Sequence, residues 1–484
     1  MRLTAWLCTL VHSALVIPAL AAPPAFDSLF PAGGQIGTKV EAKAVGKGLE
    51  KEGFLAWSSS PQVVVLGGDK PMKFFLNIAK EAVPGPCLIR LYNESDASPP
   101  RIVEVGKFEE LTEKEPNDTL ADASASPAKM NVTFNGVLEK AGDVDTYAIQ
   151  AKQGKSIRLE LHGYALGSPM DPAMRLLNEK GVEIAAGHDT HNLDPRIEYT
   201  PAADVTLYIQ LFSFAHPPAA DVSFKGSANH VYRLTVTDEP KPAVAVNEPK
   251  TLTLPATVNG CISKNGEEDA YTFTAKKGDD LQLRVRAQSQ HNSELDAALR
   301  IEDSKGKVLQ QADDSEKEVL DPALRWKVPS DGEYKLIVTD RFHHGSAEHG
   351  YELTVAAFKP SLTATLDTHA YRLEAGKSVE VKLNVKTSGT YSGKIKAQAV
   401  NLPAGFTSES VDVPAKGGDV KLTLKATPEA AASQAPFAVE ITTSAPDAVE
   451  TVKATYTIPF TEPRGDLLIM TDDHPWLTLV AKKP

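Results

Sequence analysis

Cysteine is nearly missing from this chain, with three in 484 residues, at positions 8, 87 and 261. Cys87 and Cys261 lie far apart and in different predicted domains, so neither a disulfide-stapled scaffold nor a thiolate zinc site is expected. Aromatic residues make up only 7%, which argues against a polysaccharide binder that relies on exposed rings. No Lys/Arg run is dense enough to follow a phosphate backbone, and a net charge of −12 disfavours a polyanion, so no nucleic-acid partner is expected. Beyond the first two dozen residues, no segment is long and apolar enough to span a bilayer, so no transmembrane segment is expected in the mature chain. HExxH, GxSxG, a P-loop and a dinucleotide glycine pattern are all missing, which points away from an enzyme. Only a catalytic group assembled across loops stays open.

What is present begins with an export signal. Met1-Arg2 is followed by an apolar run from Leu3 to Leu20, and Ala19-Leu20-Ala21 is a small-x-small cleavage signal. Residues 1–21 therefore read as a signal peptide, and Cys8 lies too early to be a lipoprotein cysteine. The mature protein is expected in the periplasm, on the cell surface or outside the cell. A length of 484 residues is too great for one core, and 42% hydrophobic with 24% charged residues is ordinary for folded protein.

Helical periodicity is scarce, whereas "SIRLEL", "LQLRVR", "VEVKLNV" and "VKLTL" alternate apolar and polar residues as half-buried strands do. Gly, Pro, Asp and Asn punctuate them at short intervals. The class is all-β, a row of tandem sandwiches.

An internal repeat organises the row. "GDVDTYAIQAKQGKSIRLEL" from Gly142 aligns with "GEEDAYTFTAKKGDDLQLRV" from Gly266, and "DPAMRLLNEKGVEI" from Asp171 with "DAALRIEDSKGKVL" from Asp296. "VYRLTV" ending at Val236 matches "GYELTV" ending at Val355. Two copies of one domain are expected at 108–240 and 244–357, joined by Pro-rich "DEPKPAVAVNEPK" as a semi-rigid spacer. Flanking β-domains are expected at 22–107 and 359–460, with 461–484 as a tail. Joined by short stiff linkers, such domains would form a rod.

Ahead of the first copy, "EKEPNDTLADA" crowds Glu113, Glu115, Asn117 and Asp118 into six residues. Calcium takes six to eight oxygens from a flexible loop, and these side chains supply four groups. Asp143 and Asp145, two apart in "GDVD", would share one strand face and complete the shell, with Val144 turned to the core. Carboxylates about 4 Å apart repel by roughly 4 kcal/mol at an effective dielectric near 20, which a cation would relieve. The competing reading is an acidic solvated linker, with Asn117 or Asp118 capping one helical turn through "TLADA". In the second copy Asp269 matches Asp145 but "EPND" has no counterpart, so no calcium is expected there.

"EPND", "GDVDTY", "DPAMRLL" and the closing "YRLTV" together resemble the bacterial pre-peptidase C-terminal domain, a jelly-roll-like sandwich appended to exported peptidases and other exported proteins. Related domains in clostridial collagenases bind calcium through an acidic stretch and early-strand aspartates. The resemblance implies the same role for Glu113, Glu115, Asn117, Asp118, Asp143 and Asp145. "NLPAGF" in 359–460 and "LFPAGGQIGTKVEAKAVGKGL" in 22–107 resemble Ig-like accessory domains of exported bacterial proteins. None of these is catalytic.

The remaining groups read as structural. His188, Asp189 and His191, and His343, His344 and His349, are expected to be exposed loop residues. Trp326 aligns with Tyr199 and is expected in the core, and the "RGD" at 464–466 is a chance tripeptide. The expectation is an exported, non-catalytic binding or spacer protein of the cell envelope or secreted milieu. Its partner is unidentified; an extracellular polymer or protein suits the class. The alternatives are a secreted peptidase or glycosidase relative and a collagen- or glycan-binding adhesin.

Overall fold

The computed structural model describes residues 24–50, 53–123, 127–190, 193–215, 223–240, 246–288, 293–315, 320–444, 450–460 and 470–480. The signal segment, His191 and the "RGD" tripeptide lie outside the described residues. The structure is all-β, with tandem β-sandwiches whose strands fall within 28–106, 109–237, 256–357 and 361–480.

Each sandwich closes on its own core, because alternating residues turn one face of each strand inward. In the first, Leu76, Ile89 and Val103 meet between two four-stranded sheets. In the fourth, Val381, Leu422 and Ile441 do so. Among the described residues no helix is long and apolar enough to cross a membrane.

The repeat is visible as shared topology. In the second sandwich, Val132–Val137, Val231–Thr237, Ile157–His162 and Arg196–Tyr199 are successive neighbours in one sheet. In the third, Ala256–Cys261, Gly350–Ala357, Asp280–Arg286 and Ala323–Lys327 follow the same order. The opposing sheets also match: Asp145–Ala151, Val205–Phe214, Asp171–Leu177 and Glu183–His188 against Glu268–Ala275, Gly332–Asp340, Ala297–Glu302 and Val308–Ala312. The second sandwich has one strand more: Glu109–Thr112 runs parallel to Val132–Val137 and leads directly into the acidic segment. Trp326 is buried in the third core, as its alignment with Tyr199 requires.

Two expectations are corrected. The boundary drawn at 460 is too early: Trp476–Val480, expected in the tail, lies between Ala370–Glu374 and Ser433–Pro436, and Leu477 and Leu479 belong to the fourth core. The alternating apolar residues of this strand complete a sheet that would otherwise lack its central strand. The chain is also not a linear rod, because the first sandwich touches both the second and the fourth. Arg90, fully buried, donates to Tyr456 Oη at 2.5 Å and to the His474 carbonyl at 3.3 Å, with Asp472 3.8 Å away. Trp476 packs against Tyr92 and Trp57. On the other side, Glu104 of the first sandwich meets His162 at 3.0 Å and Arg233 at 3.4 Å in the second. Buried ionic contacts need several partners to offset desolvation, and both interfaces supply them.

Candidate metal centre

The acidic segment is held from both ends. Arg233 forks onto Glu110 at 2.7 and 3.0 Å and donates to Asn135 Oδ1 at 2.9 Å, which fixes the strand leading to Glu113. Glu113 N then donates to the Asn135 carbonyl, and Glu113 Oε1 accepts from Val137 N at 2.7 Å. Farther on, Thr146 N donates to the Asn117 carbonyl at 2.9 Å and Thr146 Oγ1 to that of Asp118 at 3.1 Å. The segment is thus zipped to the start of Asp145–Ala151.

The zipping brings Glu113, Glu115 and Asp145 together, with one carboxylate oxygen of each within 4.8 Å of the others. The Asn117 amide is buried against them. As placed, its oxygen faces Asp145 Oδ1 at 3.0 Å and Glu115 Oε1 at 3.1 Å, an orientation with no donor in it; swapped, its NH₂ would donate to both. Tyr232 Oη donates to Asp145 Oδ2 and lies 2.6 Å from Tyr147 Oη, so two phenols form the floor. Gly136 makes room for them, since a Cβ there would stand 2.2 Å from Tyr232 Oη and 2.5 Å from Glu113 Oε2.

The remaining predicted ligands are placed differently. Asp143 precedes the strand rather than lying on it, and its Oδ2 accepts from Glu139 N. Its Oδ1, buried, has no hydrogen-bond partner among the described residues; Lys140 Nζ is 3.7 Å away. Asp143 and Asp145 are both buried, whereas Val144 is half-buried and outside the core clusters, the reverse of the expected facing. The cause is that Asp145 is in phase with Tyr147 and Ile149, which face the core, so the alternation turns Val144 outward. The Asp118 side chain is exposed and outside the three-carboxylate cluster. The helical turn Leu120–Ala123 is capped by Thr119, not by Asn117 or Asp118: Thr119 Oγ1 donates to Asp122 Oδ2 at 2.6 Å, in a reciprocal box.

Electrostatics fit a cation. Burial pushes Glu113 and Asp145 well above the ordinary carboxylate range, reinforced for Glu113 by the charge of Asp145 and for Asp145 by the charges of Asp143 and Glu115. Glu115 is raised too, by partial burial and then by Asp143. An all-oxygen set of three carboxylates and an amide suits a hard divalent ion such as calcium, with water or carbonyls filling the shell.

The third sandwich retains the scaffold. Tyr351 Oη donates to Asp269 at 2.7 Å and lies 2.6 Å from Tyr271 Oη, Gly260 gives the same clearance, and Glu248 accepts from Cys261 N as Glu113 does from Val137 N. Burial lifts Asp269 to about 6. Among the described residues no carboxylate group converges there in the place of Glu115, and Glu352 replaces Arg233 after the closing tyrosine. Sequence reasoning missed the tyrosines, Gly136, Glu110, Arg233 and Glu248, although the tyrosines recur in both copies.

Of the histidines, His343 and His344 are exposed as expected, but His349 is buried and pairs with Ser346 at 2.9 Å. His230 and Ser227 repeat that pair, so it belongs to the fold. His188, exposed, contacts Asp171 at 3.0 Å and Asp189 at 3.6 Å.

No family model matches the chain. A probable subtilase-type serine protease of Deinococcus radiodurans is 31% identical over 100 residues, which is 20% of this chain and 14% of that protease. Escherichia coli alpha-2-macroglobulin activated by porcine elastase is 11% identical, covering 89% of this chain and 43% of its own, with a TM-score of 0.16. The M60 catalytic domain of Clostridium perfringens ZmpB with its CBM51-1 and CBM51-2 domains is also 11% identical, covering 95% and 40%, with a TM-score of 0.16. At those scores the two structural likenesses carry no argument.

Proposed function

We propose that this chain is an exported, non-catalytic binding protein whose second sandwich is stabilised by one calcium ion, and that its two repeats are pre-peptidase C-terminal-type domains. The observation that carries the calcium reading is the meeting of Glu113, Glu115 and Asp145 around the Asn117 amide, with Asp143 Oδ1 beside them accepting no hydrogen bond among the described residues. Held there, the ion would lock the junction between the first and second sandwiches. What supports a non-catalytic role is that the described strands are all spent on four sandwich frameworks.

Terbium, a calcium surrogate excited through tyrosine, tests the site in the full chain, because Tyr147 and Tyr232 each lie 3.4 Å from Glu113. Sensitised emission that calcium displaces and that Glu115→Gln/Asp145→Asn abolishes is expected. Emission unchanged in that variant would sink the calcium reading. The 100-residue likeness to a serine protease favours, as a second reading, an accessory role beside a hydrolase. Casein hydrolysis by the purified chain would overturn the non-catalytic part.

A further inference from the structure

A cleft of about 610 Å³ lies between the third and fourth sandwiches, far in sequence from the acidic segment. That volume is within the range of small-ligand sites, roughly 300–1,000 Å³. One wall is the outer face of Asp280–Arg286, and the other comes from Ser361–Leu366 and the end of Ser378–Ser388.

Cross-strand register decides which charges on these walls are matched, because directly opposed side chains are the ones that meet. Arg286 stands opposite Glu352 and pairs with it at 3.4 Å. Arg325, outside the cleft, pairs with Asp280 at 2.7 Å and stacks on Phe358. Arg284, by contrast, stands between Ala323 and Thr354. Lys386 on the opposite wall stands between Thr363 and Gly417. Neither Arg284 nor Lys386 has an acidic partner within ion-pair distance among the described residues. Asp321, the acid in the lining, is buried with one oxygen accepting from Ala287 N and Gln288 N.

The rest of the lining includes, among the described residues, the hydroxyls of Ser361 and Thr363 and no aromatic ring. A neutral sugar bound by ring stacking is therefore a poor fit. A planar guanidinium is the natural fork for a carboxylate, a lysine ammonium adds a point charge, and hydroxyls serve sugar hydroxyls. We infer that this cleft binds a short carboxylated saccharide, its carboxylate on Arg284 and a second one or a ring hydroxyl near Lys386. This rests on the reading of the chain as a binding protein, but not on the calcium site.

The test is calorimetric titration of the full chain with trigalacturonate, with a neutral trisaccharide and with a short glutamate peptide, at low and raised salt. The uronate is expected to bind, to weaken as salt rises, and to lose at least tenfold in affinity in Arg284→Gln and severalfold in Lys386→Gln. Arg325→Gln, whose charge is already matched by Asp280, is expected to bind as the unaltered chain does. Equal binding of the neutral sugar, no uronate binding, or an Arg284→Gln chain that binds normally would overturn the inference. Glutamate peptide binding as tightly as the uronate, with the same Arg284 dependence, would overturn it in favour of an acidic protein partner. Failure here leaves the terbium experiment untouched, and repeating the titration in chelator separates the two sites.

Discussion

Raising the pH of the metal-free protein from 5 to 8 should destabilise the second sandwich, and calcium should restore it. Glu113 and Asp145 present oxygens within 4.8 Å of each other, so if both are ionised they repel by about 3.5 kcal/mol or more at an effective dielectric near 20. Glu115 is exposed and screened by solvent, so it is left out of the figure. The alternative to repulsion is to keep a proton on Glu113. Each pH unit above an ordinary pKa costs about 1.4 kcal/mol to hold a proton, which is under 1 kcal/mol at pH 5 but about 5 kcal/mol at pH 8. The lesser cost is protonation at pH 5 and repulsion at pH 8, a difference of roughly 3 kcal/mol. The sign follows from linkage: both groups are raised on folding, so the folded chain holds protons that the unfolded chain has released. Their contribution is complete below the unfolded range near 4 and is lost as pH climbs through the raised folded values. Calcium at a hundredfold over its dissociation constant adds about 2.7 kcal/mol, and only where the carboxylates are ionised. In chelator the second-sandwich transition should fall by on the order of 10 °C between pH 5 and pH 8, and calcium should return most of it at pH 8 and little at pH 5. Calorimetry of the full chain beside Glu113→Gln isolates the effect, because the amide imitates the protonated acid and should flatten the slope. A Glu113→Gln chain with the unaltered pH slope would refute the reasoning.

Arg90→Met keeps the stem that packs beside Trp476 and Tyr456 but removes the buried charge facing Asp472, at an expected cost of about 3–5 kcal/mol; denaturant unfolding should show the loss and small-angle scattering a larger radius as the first and fourth sandwiches part. Gly136→Ala drives a Cβ into Tyr232 and Glu113 and should weaken terbium binding at least tenfold, while Gly260→Ala, with the same clearance in the third sandwich, should leave it intact. Burial alone would lower the His162 pKa, but Glu104 at 3.0 Å outweighs it and lifts the value to about 9. In Glu104→Gln an NMR titration should find His162 well below that value, and the stabilisation from the pair, present in acid, should disappear as pH rises through about 9.

The sandwiches were legible because alternation is local: "SIRLEL" and "LQLRVR" each declare one buried face, and both strands occupy the same place in their sheets. Trp476–Val480 was not placed correctly, since its partners Ala370–Glu374 and Ser433–Pro436 are distant in sequence and no local pattern names them. The folding back of the first sandwich on the fourth was invisible for the same reason, as Arg90 and Tyr456 are 366 residues apart. At the acidic segment, crowding singled out Glu113, Glu115 and Asn117 as a group, while the resemblance and the Asp143/Asp145 pair suggested a role for it. The facing of Val144 was not readable, because alternation gives which residues share a face but not that the aspartates' face is the one turned inward, in phase with Tyr147 and Ile149.

The duplication separates what the fold requires from what a ligand requires. The tyrosine pair, the glycine beneath it and the aspartate recur in the third sandwich, where three carboxylates do not converge among the described residues, so that unit belongs to the shared fold. What distinguishes the second sandwich is Glu115, Asn117 and the Arg233–Glu110 clamp that aims the leading strand at Asp145. Arg233 is nearly fully buried, and a guanidinium is brought into such a place only when acids surround it, here Glu110 and Glu104. The same side chain thus anchors the first sandwich to the second and positions the acidic segment. Geometry at the acidic cluster and geometry at the domain junction are therefore one property, and a cation bound at Glu113, Glu115 and Asp145 would report on, and stiffen, the junction that Arg233 holds.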